Sequence, residues 1–595
     1  MISDEMSRLL FKVRKPGRYV GGELGALNSD LKHAADVRVV LCYPDLYEVG
    51  ADNGGIQLLY QCLNHVPDIL CHRVFCPDLD LEQALHATGV GLWTLESHEP
   101  VRDYHFLGFS LATELSYINL ITVLKSSALP VIAANRGDAD SWVFAGGPAG
   151  YNPEPVAAFI DFFVLGEAED VLPQLLVQLW QRRATPRTER LAWLSQQPGV
   201  YVPACYQFEY QGVQIAATRY LGRGQERVTR LVAKSFQDAV KTLRPVLPAV
   251  ETVFDRDNVQ ILRGCPHKCR FCQISFITTP VRERPADDVV SEAMASLAYS
   301  GREGVSLLSL SSSDHTQIED MIGRIESELT PKQVSVTLPS LRVDTFNETL
   351  AVKSRAVRDT GLTLAPEGGS QRMRDVVSKH ISEEQILRSL QVACRAGMTR
   401  MKLYFVIGLP GEDESDLLAI ADLGRKLVDA ARELGHNKFK VTISCSILVP
   451  KPHTPFQWLR QISREEAEAK LNFLKKHVKG RNVELRWHDP QMAELEGILS
   501  RGDRRMATAL LAAHDRGCRL DAWNEHLNYG FWLEALAQTG FETTQCLRAR
   551  DTEEILPWQW VNTGVPLAYL KKEHEKTQQM LATSEAEMQV AGQAL

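Results

Sequence analysis

The chain has 595 residues, 44% of them hydrophobic and 24% charged, the composition of a soluble globular protein of roughly three or four domains. Its net charge of -8 is spread over the whole length, which supplies neither a basic footprint for a nucleic acid such as DNA nor a polybasic membrane anchor. The start, "MISDEMSRLLFKVRKPGRYV", lacks the apolar stretch of a secretory signal, and the best apolar run, "VAAFIDFFVLG", is broken by Asp161 and is about half the ~20 residues of a membrane span, so no membrane partner and a cytoplasmic location are expected.

After an N-terminal extension (1–35), apolar strands alternate with helix-like stretches: "VRVVLCY", "HRVFCPD", "GVGLWTLES", "FLGFSL", "WVFAGGP" and "FIDFFVLGE". The alternation predicts an α/β domain over 36–175, a doubly wound, Rossmann-like parallel sheet with helices on both faces. Ligands of such sheets sit beyond the carboxyl ends of the strands, here Tyr43 to Gly50, Ser110 to Glu114, Gly146 to Gly150 and Gly166 to Asp170. Residues 176–249 read as a connector.

A second series, "NVQILRG", "GVSLLSLSS", "VSVTLPSLRVD", "GLTLAPEGG", "RMKLYFVIGLPG" and "KVTISCSILVPKP", predicts six β/α units over 250–460, a (β/α)6 partial TIM barrel with its site at the strand ends. Residues 461–595 read as mostly helical, charged and then aromatic-rich, ending after about 572 in a polar tail expected to be a frayed helix.

The first strand of the second series runs into "GCPHKCRFCQ", with Cys265, Cys269 and Cys272 on one short loop. Twelve cysteines are too dilute for a disulfide scaffold and, in a reducing compartment, are available to bind metal. Three thiolates can hold three irons of a four-iron, four-sulfur (4Fe-4S) cluster and leave the fourth open to a substrate. The alternatives are a zinc knuckle, which wants a fourth Cys or His and finds only His267 deep in the loop, or three unconnected cysteines.

This Cys-x3-Cys-x2-Cys loop after a first barrel strand resembles the radical S-adenosylmethionine (radical SAM) superfamily. The resemblance implies that the open iron chelates the amino and carboxylate groups of SAM and that Phe271 packs by the adenine. "LSLSSSD" stands where the superfamily often has Gly-Gly-Glu, which implies Ser311, Ser312 and Ser313 at the amino end of SAM. "LPSLRVD", "APEGGSQRMRD" and "YFVIGLPGED" are similar to later SAM-contacting strand ends and imply Arg342, Glu367 and Gly408; read alone, Arg342 and Glu367 are also fit for plain salt bridges. The implied chemistry is reductive cleavage of SAM to a 5′-deoxyadenosyl radical that abstracts a hydrogen atom, with an electron donor such as flavodoxin or ferredoxin as partner.

A doubly wound domain before such a barrel resembles the cobalamin-dependent branch, and "DLYEVG" reads as its Asp-x-His-x-x-Gly motif with Tyr47 at the histidine place. This implies cobalamin without a histidine beneath the cobalt, contacted by Asp45, Tyr47, Gly50, Ser110, Gly146, Gly147, Gly166 and Glu167; the residue-level alternative is a tight Gly-Gly turn and a packed tyrosine. With "VPKPHTPFQW" and "LSRGDRR", the whole resembles a family of cobalamin-binding radical SAM proteins of unassigned substrate.

Three functions stand at this point. The first is a methyltransferase acting on an unactivated carbon of a small molecule, RNA or protein. The second is a methylthiotransferase of RNA or protein, whose second cluster would draw on Cys42, Cys62, Cys71 and Cys76, otherwise ordinary buried cysteines. The third is a non-catalytic cobalamin sensor. The arginines of "RGDRR" (501–505) could grip phosphate or form a salt-bridge network, and Trp523, Tyr529, Phe531 and Trp532 could stack on bases or form core.

Overall fold

A computed structural model describes residues 2–27, 35–234, 236, 244–339, 341–343, 346–354 and 361–593. The chain divides into two compact units: Met1–Asp255 with Ile498–Cys546 and Glu553–Gly564, and Arg256–Gly497 with Leu547–Thr552 and Val565–Leu595. The expected connector therefore lies inside the first unit, and the expected C-terminal region is shared between both.

The first unit is built on β1 (Val37–Tyr43), β2 (Ile69–Phe75), β3 (Phe106–Ser110), β4 (Trp142–Gly146), β5 (Phe162–Val164) and β6 (Val200–Tyr201), in the order β2-β1-β3-β4-β5-β6. The first five strands run parallel and β6 is antiparallel to β5. Nearly every residue of β1 and every residue of β2 is buried, as expected of strands covered on both faces. The order β2-β1-β3-β4-β5 is flavodoxin-like, so the doubly wound expectation holds and the topological switch point lies at the ends of β1 and β3.

Two details differ from expectation. "GVGLWTLES" forms no strand, only an isolated bridge from Trp93 to Pro100, and is anchored instead by the Trp93 indole donating to the Tyr19 carbonyl at 3.0 Å. Residues of the expected connector form a hairpin, Tyr206–Gln211 with Gln214–Tyr220. Arg504 and Arg505 hold that hairpin, lying 4.3 Å and 4.0 Å over the rings of Phe208 and Tyr210 and donating to the carbonyls of Tyr206 (2.7 Å) and Gly212 (3.0 Å). These arginines form a network that supports the hairpin. Tyr529 and Trp532 are likewise buried, Trp532 donating to Asp521 at 2.9 Å, and only Phe531 of the aromatic run is exposed.

The second unit carries two parallel sheet segments. One holds Asp257–Gln260, Gly304–Leu308 and Ser335–Thr337; the other holds Leu362–Glu367, Arg400–Ile407, Lys440–Ile447 and Val483–Trp487. All six expected strands are present, with Val483–Trp487 as a seventh. No ladder joins the two segments among the described residues, so they make a partial and not a closed barrel. Ser340 and Asp344 of "LPSLRVD" lie outside the described residues. One core of strand and helix side chains, including Val259, Leu307, Leu364, Leu403, Val441 and Ile443, fills the unit. The tail is helical as expected, within a single 27-residue helix, Leu567–Gln593, that begins before residue 572.

Candidate active site

The three cysteines sit on a loop whose base is clamped by an antiparallel pair, Leu262–Arg263 with Arg282–Glu283. Gly264 opens the loop at φ +84°, where a Cβ would lie 2.9 Å from the Pro280 carbonyl and 3.0 Å from that of Thr278; the sharp entry needs glycine. A short helix, Gln273–Ile277, starts directly after Cys272. Cys269 is buried, and Cys265 and Cys272 are half-buried.

Burial pushes the Cys269 thiol up to about 11, with Lys379 opposing and Cys272 and Glu367 reinforcing. Burial also raises Cys265, reinforced by Cys272 and Asp314 and opposed by the His267 amide and Arg342. Cys265 and Cys269 thus both feel Cys272, with one cation beside Cys265 and another beside Cys269. Metal binding displaces a thiol proton outright, so their burial is no bar to thiolate ligation.

Among the described residues no three His, Cys, Asp or Glu side chains converge as a single ion requires. A cluster asks for no such convergence, because each thiolate ligates its own iron. His267, the one histidine in the loop, has its Nε2 engaged by Asp314 Oδ2 at 2.6 Å. The donor set of three thiols on one loop, flanked by Lys379 and Arg342 against an anionic cluster, fits a 4Fe-4S group.

Around the loop the remaining expected residues divide. Phe271 is partly buried against Met373, Val377, Val406 and Leu448 beside the later strand ends, where an aromatic ring can support a base. Arg342 donates its amide to Ser313 Oγ at 3.2 Å, which joins two of the expected contacts beside Cys265. Glu367, in a left-handed conformation at φ +69°, accepts from Lys379 at 3.2 Å, and burial raises its carboxyl. Ser312 is fully buried and donates to the Leu307 carbonyl at 3.2 Å, so its hydroxyl is spent within the fold, and Ser311 is buried beside Asp314. Gly408 spends its amide on Glu412 Oε2 at 2.8 Å, and its φ of +77° beside Ile462 explains the glycine without a ligand.

In the first unit the expected cobalamin contacts are committed to the fold. Tyr47 is 1% exposed; its hydroxyl donates to Glu23 Oε1 at 2.5 Å and accepts from the Ala249 amide at 2.8 Å, so it is engaged on both sides within the fold. Gly50 is a packing glycine whose Cβ would meet Phe75 at 2.5 Å. Gly146 and Gly147 are crowded by backbone, Val164 O at 2.9 Å and Leu111 O at 2.6 Å from the added Cβ. Gly166 bridges Leu231, and Glu167 accepts from the Ala233 amide at 2.9 Å.

Asp45 is buried, which raises its carboxyl against the hydrogen bonds that Leu46 (2.7 Å) and the Trp523 indole (2.8 Å) donate to it. Leu520, at φ +52°, donates to Asn119 at 2.9 Å, and Asn119 in turn to the Pro44 carbonyl at 2.9 Å. Residues 518–523 therefore strap the switch point, a feature that local sequence patterns do not reveal. Half-buried Ser110 and Trp523 remain beside it. The architecture fits a cofactor of doubly wound domains; no side chain of the Asp45–Gly50 loop offers a nitrogen to a metal. Cys42, Cys62, Cys71 and Cys76 are all buried, as ordinary core cysteines are.

The family described as Radical SAM superfamily matches residues 259–424, and the one described as Radical SAM proteins, N-terminal, matches residues 55–203. An uncharacterised protein of Methanocaldococcus jannaschii is 25% identical over 477 residues, covering 79% of this chain and 90% of its own. A ribosomal protein uS12 methylthiotransferase of Desulfotalea psychrophila is 26% identical over 231 residues, 36% of this chain and 49% of its own. Among solved structures, the radical S-adenosylmethionine methyltransferase TsrM of Kitasatospora setae, with cobalamin and a 4Fe-4S cluster bound, is similar with a TM-score of 0.49 at 14% identity, over 71% of this chain and 77% of that one. The chain thus carries a radical SAM domain over residues 259–424, with the three-cysteine loop inside it, preceded by a span that matches the N-terminal domain of radical SAM proteins.

Proposed function

We propose that this protein is a radical SAM enzyme that methylates an unactivated carbon of a small-molecule, RNA or protein substrate, with cobalamin in its first unit as methyl carrier and a flavodoxin or ferredoxin as electron donor. The observation that carries the reading is the loop of Cys265, Cys269 and Cys272 at the end of the first strand of a parallel partial barrel. When bound, the cluster supplies the electron that splits SAM and cobalamin supplies a nucleophilic cobalt that accepts and passes on a methyl group. The chain's own share is positional. Cys269 is held inside and Phe271 against the strand ends, Lys379 and Arg342 place positive charge beside the thiolates, and Asp314 orients the His267 ring.

Anaerobic reconstitution with iron and sulfide is expected to give about four irons per chain and, on reduction with SAM, 5′-deoxyadenosine. The variant Cys265→Ala, Cys269→Ala, Cys272→Ala is expected to lose the cluster and SAM cleavage together, while Cys394→Ala and Cys445→Ala, both in the core, retain them. A triple variant that still holds a full cluster refutes the assignment. The span shared with uS12 methylthiotransferases supports a second reading, for which the count would be about eight irons; the burial of Cys42, Cys62, Cys71 and Cys76 speaks against it.

A further inference from the structure

Between the second and third cysteines stands Arg270, whose side chain is 6% exposed. Its backbone amide donates to the Val377 carbonyl at 3.1 Å, and its Nη1 to the carbonyls of Val376 (2.8 Å) and Asp375 (3.2 Å) at the end of the helix Gln371–Val376. Its remaining face meets one carboxylate: Nε and Nη2 lie 3.1 Å and 3.0 Å from Glu573 Oε2. Glu573 belongs to the C-terminal helix, and its own side chain is 10% exposed. Burial works to raise its carboxyl, yet hydrogen bonds from Lys576 and Arg270 hold it below the ordinary range, so the pair stays ionic.

The same helix touches this strand-end face repeatedly. Tyr569 packs on Phe276, in the helix that follows Cys272, with ring centroids 6.4 Å apart. His574 donates from Nδ1 to the Pro455 carbonyl at 3.1 Å and meets the Trp458 ring edge-on at 5.3 Å. Thr577 is fully buried, and Leu581 packs on the same apolar group that supports Phe271 and lies where a Cβ on Gly411 would meet it at 2.5 Å. Leu570, Glu573, His574, Thr577 and Leu581 share one helical stripe, spaced so that all face the loop side.

We propose that the C-terminal helix is the clamp of the cluster loop, and that Glu573 is a positioning residue that fixes Cys269 and Cys272 through Arg270. This rests on the reading of the loop as the cluster site. An arginine with its carboxylate removed is a buried charge without a counterion, which is costly, whereas an apolar pair of similar size restores a packed interface. The loop's geometry, and with it the cluster's exposure to oxidant and the approach of SAM to the open iron, should therefore follow the state of this pair while the sheets remain intact.

The test uses the full-length chain, reconstituted anaerobically as wild type, Glu573→Gln, Glu573→Leu and the double variant Arg270→Met with Glu573→Leu. Four quantities are read: iron per chain, the rate of bleaching in air, the change that SAM makes in the spin signal of the reduced cluster, and the thermal midpoint. Glu573→Gln is expected to hold its cluster but bleach about tenfold faster, with a weakened response to SAM and a midpoint lowered less than that of Glu573→Leu. Glu573→Leu is expected to lose more than half of its iron, and the double variant to regain it. Wild-type bleaching and spin response in both single variants overturn the clamp. So does iron loss that tracks the thermal midpoint and is not rescued in the double variant, because the helix is then only a general stabiliser. A wild-type chain that takes up no iron overturns the reading of the site, and the clamp with it; wild-type loading with unresponsive variants overturns the clamp alone.

Discussion

Tyr47 stands where the resemblance to cobalamin domains places a metal ligand, yet its ring is edge-on to Phe75 at 5.3 Å and its hydroxyl is bonded on both sides. Glu23, which accepts from it, is also paired with Arg73, which in turn donates to Glu96 at 2.7 Å, all three buried. Tyr47→Phe strips a donor from Glu23 and an acceptor from the Ala249 amide, a loss of about 1–3 kcal/mol where both are shielded from water. The expected result is a lower denaturant midpoint with an unchanged Co(II) spin spectrum that shows no nitrogen splitting in either protein. A spectrum altered by the substitution puts the hydroxyl at the cobalt and refutes the buried assignment. At this scale the cysteine loop was legible because thiols at fixed spacing have few structural uses, whereas a motif position reports identity and not direction: Tyr47 and Ser312 both match places in a pattern and both turn inward.

Most strands were legible because both faces of β1 and β2, and the strands of the partial barrel, are built from long apolar runs. "GVGLWTLES" misled because its apolar residues are buried by packing and not by a ladder, and Val483–Trp487 escaped because it is short, charged and largely exposed. The packing of the C-terminal helix was hidden differently: its inward stripe carries Glu573, His574 and Thr577, so hydrophobic periodicity sees a polar tail where one face is buried. Turns carry a testable energy too. In the turn after Arg400–Ile407, Glu412 is 2% exposed and accepts from Gly408 and, at 3.0 Å, from Lys470; burial pushes its carboxyl up to about 7, against Lys470. A folded value above the unfolded one of about 4.3 means that the folded state binds the proton more tightly, so this contribution is full below about pH 4 and is lost as pH rises through about 7. The free energy of unfolding should fall between about pH 4 and pH 7 by an amount on the order of 2–4 kcal/mol, and Glu412→Gln should flatten that slope. An equal slope in the variant rules Glu412 out as its source.

At the scale of the whole chain, neither unit is a contiguous piece of sequence. Local periodicity cannot show this, because the tie between Glu154 and Arg504 spans 350 residues. Glu154 is fully buried after β4, bonded by the Tyr201 hydroxyl and by Arg504 at 2.7 Å. Asn119 and Asp45 depend in the same way on Leu520 and Trp523. A fragment ending at Asp255 keeps all six strands of the first sheet but removes each of these partners at once. Losing one member of a buried ion pair costs about 3–5 kcal/mol, and a domain's whole stability is only about 5–15 kcal/mol. The fragment 1–255 is therefore expected to show no cooperative unfolding transition and no cobalamin uptake, although it contains every residue that the sequence motif assigns to cobalamin. Arg504→Met in the full chain should reproduce part of the defect by leaving Glu154 unpaired, and Glu154→Gln, which removes the buried charge, should be milder. A fragment 1–255 that melts cooperatively and binds cobalamin as the full chain does would show that residues 498–564 merely decorate a self-sufficient domain.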